Sequence, residues 1–452
     1  MTELRRLTGW GRTAATTAYV EPVRRVEDAV AAVRLAGDRG LIARGLGRSY
    51  GDAAQNAGGS VLDMTGLDRI VQVDAETRTA VVQAGVTLDT LMRTLLPFGL
   101  WVPVLPGTRQ VSVGGAIAAD VHGKNHHVEG SFGNHVRSVE LLTADGVVRT
   151  LRPDDASTRD LFWATVGGMG LTGVVLQATV GLHDVDTAYF LVDTERAHDV
   201  YDLMQRLAGG DAHYPYSVAW FDSIASGDRL GRAVITRGRA AEVDELPTKL
   251  RGRPLRFDAP GLGTVPPGIP GGLVNRITGR AFNELWFRKA PASRRAELQN
   301  ITTFFHPLDV VADWNRVYGP RGFCQYQFVV PEGAEPVLRR CVQIIAGSGH
   351  VSCLNVLKRF GPANRSPLSF PTAGWTLAVD IAVRPGLERL FARLDAMVLE
   401  AGGRVYLAKD ARLPAAQLRR MYPRLEEFAR IRRQVDPAGM FCSDLSRRLE
   451  ID

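Results

Sequence analysis

The stretch "ARGLGRSYGD" (residues 43–52) decides how this chain is read. It follows the short apolar run "LIAR" and sets glycines at 45, 47 and 51. A glycine triplet after a strand suggests a Rossmann turn, which needs its third glycine to open a helix inside a strand–helix–strand unit. Here the glycine spacing is one residue too long. The continuation "DAAQNAGG" carries Gly58 and Gly59 and cannot make a stable amphipathic helix. A Rossmann unit is therefore excluded. The loop keeps another use: its glycines let backbone N–H groups converge on a phosphate, and Arg48 adds charge.

Two further glycine loops follow. "LPGTRQVSVGGAIAADVHG" (105–123) reads as a glycine pair, Gly114 and Gly115, opening a short helix suited to an anion. "VGGMGLTGVV" (166–175) is the third. Three such loops in one half of the chain suggest a long, phosphate-bearing cofactor lying across them.

The surrounding pattern is α+β. Residues 22–36 predict a helix, with Val23, Val26, Val30 and Val33 at helical spacing. Residues 70–74 and 79–85 predict paired strands, and 87–99 an amphipathic helix. Residues 100–107 predict a strand, and 139–151 a hairpin around Asp145–Gly146. A short helix over 160–168 and a strand over 172–182 complete this half. Composition shifts near residue 185. Beyond it, 216–224, 323–330 and 375–383 read as strands, and 335–349 and 386–403 as helices on one face of their sheet. The expected division is 1–186, completed by 404–452, and 187–403. Within the second unit, 251–276 is rich in Pro and Gly and reads as a long mobile loop.

The 452 residues suffice for two or three domains. A hydrophobic share of 45% with 23% charged residues places the chain among soluble globular proteins. The net charge of +7 suits an anionic ligand or membrane surface as well as a solvated surface. No Lys/Arg run marks a nucleic-acid-binding arm. Cys324, Cys341, Cys353 and Cys442 form no C-x-x-C pair, so neither a zinc knuckle nor a redox dithiol is signalled. The N-terminal stretch lacks the apolar core of a signal peptide, and no run is long enough to span a bilayer. The expectation is a cytoplasmic protein whose membrane contact is peripheral.

"DVHGKNHHVEG" (120–130) holds three histidines, a lysine and two acids. Gly123 breaks the segment, and the adjacent His126 and His127 point in different directions on most backbones. No metal site is expected, and these two histidines read as loop hydrogen-bonders. His122 and Lys124 directly follow the second glycine loop and read as pocket wall. Gln325 and Gln327, in "FCQYQF", fall on one strand face.

The order of the three glycine loops, with "RRQVDPAGMFCSDLSRRL" (432–449), resembles the FAD-binding half of the vanillyl-alcohol-oxidase-like flavoproteins. "HGKNHH", "FCQYQF", "LNVLKRFGP", "PLSFPTAGW" and "YLAKDAR" are similar to motifs of the polyprenylphosphoryl-β-D-ribose 2-oxidases, flavin subunits of an actinobacterial epimerase. The resemblance implies a two-domain fold with an antiparallel-sheet substrate domain. Because Tyr50 stands where many relatives tether the flavin, it also implies non-covalent FAD. Gly45, Gly47, Arg48, Ser49, Tyr50 and Gly51 would contact the cofactor from one side, and Gly107, Ser112, Gly114, Gly115, His122 and Gly123 from the other. Val174 and Tyr406 would complete the cradle.

The implied chemistry is oxidation of the ribose C2 hydroxyl of a polyprenyl-phosphoryl ribose. A separate NAD(P)H-dependent keto-reductase would finish epimerisation to an arabinose donor for cell-wall arabinan. The alternative is oxidation of a soluble sugar or nucleoside. Lys409, His122 and Tyr50 are the catalytic candidates. Lys124, Gln325, Gln327, Asn355, Lys358, Ala378 and Lys409 are the substrate-side ones. Ala378, Thr376 and Phe305 depart from the family's usual cysteine, asparagine and tyrosine. By resemblance, a periplasmic membrane face is also compatible.

Overall fold

A computed structural model describes residues 2–451. Its first half is built on two sheets. The four-stranded one runs Glu3–Thr8, Ala15–Pro22, Ser60–Asp63, Leu41–Arg44, with the last three strands parallel. The five-stranded one is antiparallel and runs Ile70–Asp74, Thr79–Gln83, Val174–Gly181, Val136–Leu142, Val148–Leu151. The predicted paired strands, hairpin and glycine-opened helix (Val113–Ala118) are all present.

Several expectations need correction. Pro22 ends a strand, and the helix starts only at Val26. The two N-terminal strands were not anticipated, because their exposed Thr and Arg residues mask the alternation. Of residues 100–107, only Leu100–Trp101 pairs, with His183–Asp184. Pro103 and Pro106 lack the N–H that a ladder needs. His126 and His127 do not lie in a loop but open a one-turn helix, His126–Glu129.

The second half is one eight-stranded antiparallel sheet. Its order is Ser293–Asn300, Tyr189–Ala197, Ala233–Ala240, Tyr216–Phe221, Asn355–Phe360, Gly374–Ala382, Phe323–Pro331, Arg404–Val405. The period of two divides its side chains. Tyr326, Phe328, Leu357, Leu377 and Val379 enter a core shared with the helices Val200–Gly210, Glu335–Gly347 and Leu387–Glu400. Gln325, Gln327, Val356, Lys358, Thr376 and Ala378 face a cavity instead.

The 251–276 segment is irregular, yet its Gly263–Thr264 pairs in parallel with Val311–Ala312. The chain's end returns to the first half. Leu41 N–H donates to the Met440 carbonyl (2.9 Å), and Arg448 pairs with Asp52 (2.8 Å).

Candidate active site

The glycine loops and the open sheet face enclose a cavity of about 1060 Å³. That lies at the upper end for small-molecule sites, so a large cofactor and a substrate fit together. The glycines are there for close approach. A Cβ on Gly45 would overlap the Ser112 hydroxyl, and one on Gly51 would overlap the Asp410 carbonyl. Tyr50 N–H donates to the Ala408 carbonyl (2.9 Å), which fixes the first glycine loop to the segment bearing Lys409. Ser112 caps its helix by accepting from Gly115 N–H (3.3 Å). Arg48 lies over the Trp10 ring at 4.1 Å and donates to the Gln110 carbonyl (3.1 Å).

Gly45, Gly47, Arg48, Ser49, Tyr50, Gly51, Gly107, Ser112, Gly114, Gly115, His122, Gly123 and Tyr406 all line this cavity. So do Lys124, Gln325, Gln327, Lys358, Ala378 and Lys409. Two candidates do not. Val174 is buried beneath the sheet with Leu142 and Phe441, and its neighbours Gly173 and Val175 line the cavity instead. Asn355 pairs across the ladder with Val379, on the helix-covered face. Its amide donates to the Phe221 (2.9 Å) and Ser352 (3.2 Å) carbonyls. Asn355 and Lys358 are three apart in one strand, so they cannot share a face.

Three lysines converge here. Burial pushes Lys124 down to about 7; its ammonium sits 4.3 Å from the Phe304 ring centroid and donates to the Phe304 carbonyl. Lys358 is also pushed down to about 7, by burial first and then by the charges of Lys124 and Lys409. Lys409 lies 4.0 Å from the Tyr50 ring centroid; burial lowers its pKa and Asp380 opposes that shift.

His122 holds the centre. Its Nδ1 is 3.2 Å from Lys358 Nζ and its Nε2 is 3.0 Å from Gln327 Nε2. Its ring packs edge-on to Phe360 at 4.7 Å. Burial and the neighbouring cations hold it well below the usual histidine range, so the imidazole is neutral. A neutral imidazole has one donor and one acceptor. Thr376 spends its hydroxyl proton on the Phe328 carbonyl (2.9 Å) and so accepts from Gln327 Nε2 (3.2 Å). That leaves the other Gln327 proton for His122 Nε2. Nδ1 then carries the ring proton and faces Lys358, which must be a neutral amine. If Lys358 is charged instead, the ring proton moves to Nε2 and the Gln327 amide must turn over. One proton on Lys358 thus selects between two hydrogen-bond arrangements.

Asp380 was missed at the sequence level. It is fully buried, and burial raises its pKa against the opposing effects of Gln325 and Lys409. Gln325 Nε2 donates to Asp380 (2.5 Å) and contacts the Tyr50 hydroxyl (3.2 Å). A lone acid inside the apolar run "WTLAVDIAV" was the available signal. Tyr50 itself is held well above the usual tyrosine range, chiefly by burial, and is a hydroxyl rather than a phenolate. Phe282 and Trp286, on the helix Arg276–Lys289, were also missed; they reach the cavity from a segment with no motif.

His126 and His127 are structural. The His126 ring accepts from Gly361 N–H (3.1 Å), and His127 Nε2 meets the Tyr214 carbonyl (3.0 Å). Glu129 meets His135 and His183 outside the cavity lining. His183 lies 54 residues from Glu129, which hid the cluster from a reading of local spacing.

Comparison with known proteins fits this geometry. Residues 17–152 match the FAD binding domain family, and residues 323–449 match the D-arabinono-1,4-lactone oxidase family. The chain is 54% identical, over 100% of its length and 98% of the relative's, to decaprenylphosphoryl-beta-D-ribose oxidase of Mycolicibacterium smegmatis. It is 27% identical to an alditol oxidase of Streptomyces sp., over 91% of this chain and 90% of that one. It is 24% identical to L-gulono-1,4-lactone dehydrogenase of Mycobacterium tuberculosis, over 96% of both chains. The chain is an FAD-binding protein, the fold is the two-domain α+β fold of such flavoproteins, and the chain belongs to the decaprenylphosphoryl-β-D-ribose oxidase family of FAD-dependent oxidoreductases.

Proposed function

We propose that this enzyme oxidises the C2 hydroxyl of a polyprenyl-phosphoryl-β-D-ribose to the 2-keto sugar. The single observation that carries the reading is the cluster of three buried lysines. Lys124, Lys358 and Lys409 line one cavity, and only Lys409 has a carboxyl, Asp380, opposing the effect of its burial. Lys124 and Lys409 can carry charge there at low cost only when an anion meets them, and a phosphoryl sugar is such an anion.

When bound, FAD, held without a covalent tether, supplies the two-electron acceptor for the hydride leaving the sugar carbon. The chain's residues do the rest. Lys409, with Tyr50 beneath it, places a positive charge and a hydroxyl donor at one end of the cavity. Gln325 and Gln327 present amides for sugar hydroxyls. Lys358, whose neutral form is available near neutral pH, takes the hydroxyl proton, and His122 beside it positions the amine. Lys124 meets the phosphate. The keto product then requires a separate NAD(P)H-dependent reductase to become the arabinose donor.

Membrane contact is assigned to the helix Arg276–Lys289. Ile277 is 82% and Leu285 68% exposed, one helical stripe with Ala281. Beside it, Phe282 and Trp286 stack at 5.9 Å and also line the cavity. Arg276, Arg280, Glu284 and Arg288 form the flanking stripe, in which Arg288 pairs with Glu284 and Arg276 and Arg280 leave a cationic border. An apolar face bordered by cations suits a helix lying in the surface of an anionic bilayer. A prenyl chain would pass from the lipid along Phe282 and Trp286 into the cavity. No described helix is long and apolar enough to cross a membrane.

The test is to run the reaction on lipid-linked ribose and trap the product with borodeuteride. Deuterium at C2 supports the reading. Deuterium elsewhere, or turnover of free pentoses and alditols alone, contradicts it.

A further inference from the structure

Outside the cavity, three ligand-type side chains meet on the first half of the molecule. Glu129 ends the helix His126–Glu129, His135 ends the turn Phe132–His135, and His183 opens the strand His183–Asp184, which pairs with Leu100–Trp101. Glu129 Oε2 lies 3.1 Å from His183 Nε2 and 3.4 Å from His135 Nε2. All three ligand atoms fall within 4.8 Å of one another. Zinc ligands stand about 2.0–2.1 Å from the ion, which puts tetrahedral neighbours about 3.3 Å apart. Two edges of the triangle already have that length, and closing the third needs only a small movement.

We propose that Glu129, His135 and His183 bind a divalent late transition-metal ion of the zinc class, with water as the fourth ligand. Two imidazole nitrogens and one carboxylate form a borderline donor set, which favours zinc over magnesium or calcium. The side chains of Glu129 and His135 are 26% and 15% exposed and that of His183 is 47% exposed, so an ion and its water enter from solvent. Each ligand comes from a different hydrogen-bonded segment, so the site is largely arranged before the ion arrives. His135 Nε2 also lies 3.0 Å from the Glu129 carbonyl. The ion takes the place of that hydrogen bond, and the ring proton moves to Nδ1.

The ion would clasp a segment that matters to the cavity. His122 bridges Ser131 across the base of the loop that carries Lys124 and ends at Glu129. Metal at Glu129 ties that loop to the strand at His183. The expected role is to steady the segment; no reaction step passes through the ion.

The competing account is a carboxylate hydrogen-bonded by the two histidine rings, with no metal. The FAD-loaded, tag-free protein is treated with chelator, exchanged into buffer and titrated with cobalt(II). Absorbance beyond the flavin band, at about 550–650 nm, reports tetrahedral cobalt. Zinc content is then measured after dialysis against zinc. The expected result is one ion per chain, binding at low-micromolar concentration or tighter, with a raised melting temperature. His183→Ala should lose the ion and keep its FAD and its flavin reduction. Glu129→Gln should weaken binding about tenfold or more, in line with loss of a charged ligand. Wild type without stoichiometric metal, or either variant binding as wild type does, overturns the proposal.

Discussion

The two walls of the active cavity are built by opposite means. The glycine-loop wall is made of loops contiguous in sequence, where glycines at 45, 51, 114 and 115 let backbone approach backbone or side chain. The opposite wall is one face of a sheet whose strands are scattered from residue 189 to residue 405. Its chemistry depends on which residues the ladder sets side by side. Gln327 lies opposite Ala378, Gln325 opposite Asp380, and Lys358 opposite Thr376. The first wall is specified locally and the second by register. A change in the first should therefore cost cofactor, and a change in the second should cost chemistry with the cofactor kept.

The largest expected effect comes from Lys409, which follows the sheet's last strand and lines the cavity. Lys409→Ala should retain FAD and lose about a hundredfold or more in the rate of flavin reduction, as expected for removing one preorganised charge. Stopped-flow reduction near the wild-type rate would remove Lys409 from the chemistry. Next is Asn355→Ala. It removes donors from two buried carbonyls, at a cost of about 1–3 kcal/mol in stability. Thermal unfolding should report that loss while the KM for substrate stays unchanged; a raised KM with unchanged stability would return Asn355 to the cavity.

A third prediction uses pH. With Lys358 pushed down to about 7, its neutral, proton-accepting form grows as pH rises through that value. Flavin reduction should accelerate between about pH 6 and about pH 8, and Lys358→Arg should flatten the profile because arginine stays charged. An unchanged profile in the variant would move the base elsewhere. The smallest effect belongs to the helix Arg276–Lys289. Paired Ile277→Ser and Leu285→Ser changes should reduce association with anionic vesicles several-fold and leave turnover of a short-chain substrate unaltered. Equal losses for long-chain and short-chain substrates would remove the lipid-docking role.

The sequence and the structure agree best where one residue type has one physical use. The glycine loops could be placed because a glycine pair before "AIAA" opens a helix and because "DAAQNAGG" cannot form one. Gln325 and Gln327 could be paired because strands alternate. The same rule, applied to Asn355 and Lys358, would have separated them. Val174 failed for a similar reason, since the cavity takes its neighbour Val175. Asp380 needed the ladder to show that its carboxylate meets Gln325 and Tyr50. The helix Arg276–Lys289 escaped notice because its exposed face is apolar, which inverts the pattern by which a surface helix is recognised.

The most direct test of the central claim mixes the enzyme anaerobically with a synthetic polyprenyl-phosphoryl ribose and follows flavin absorbance. Bleaching within the time of one turnover, with no bleaching by ribose 5-phosphate or free ribose at equal concentration, is the predicted result. Bleaching by the free sugars and none by the lipid-linked one would contradict it.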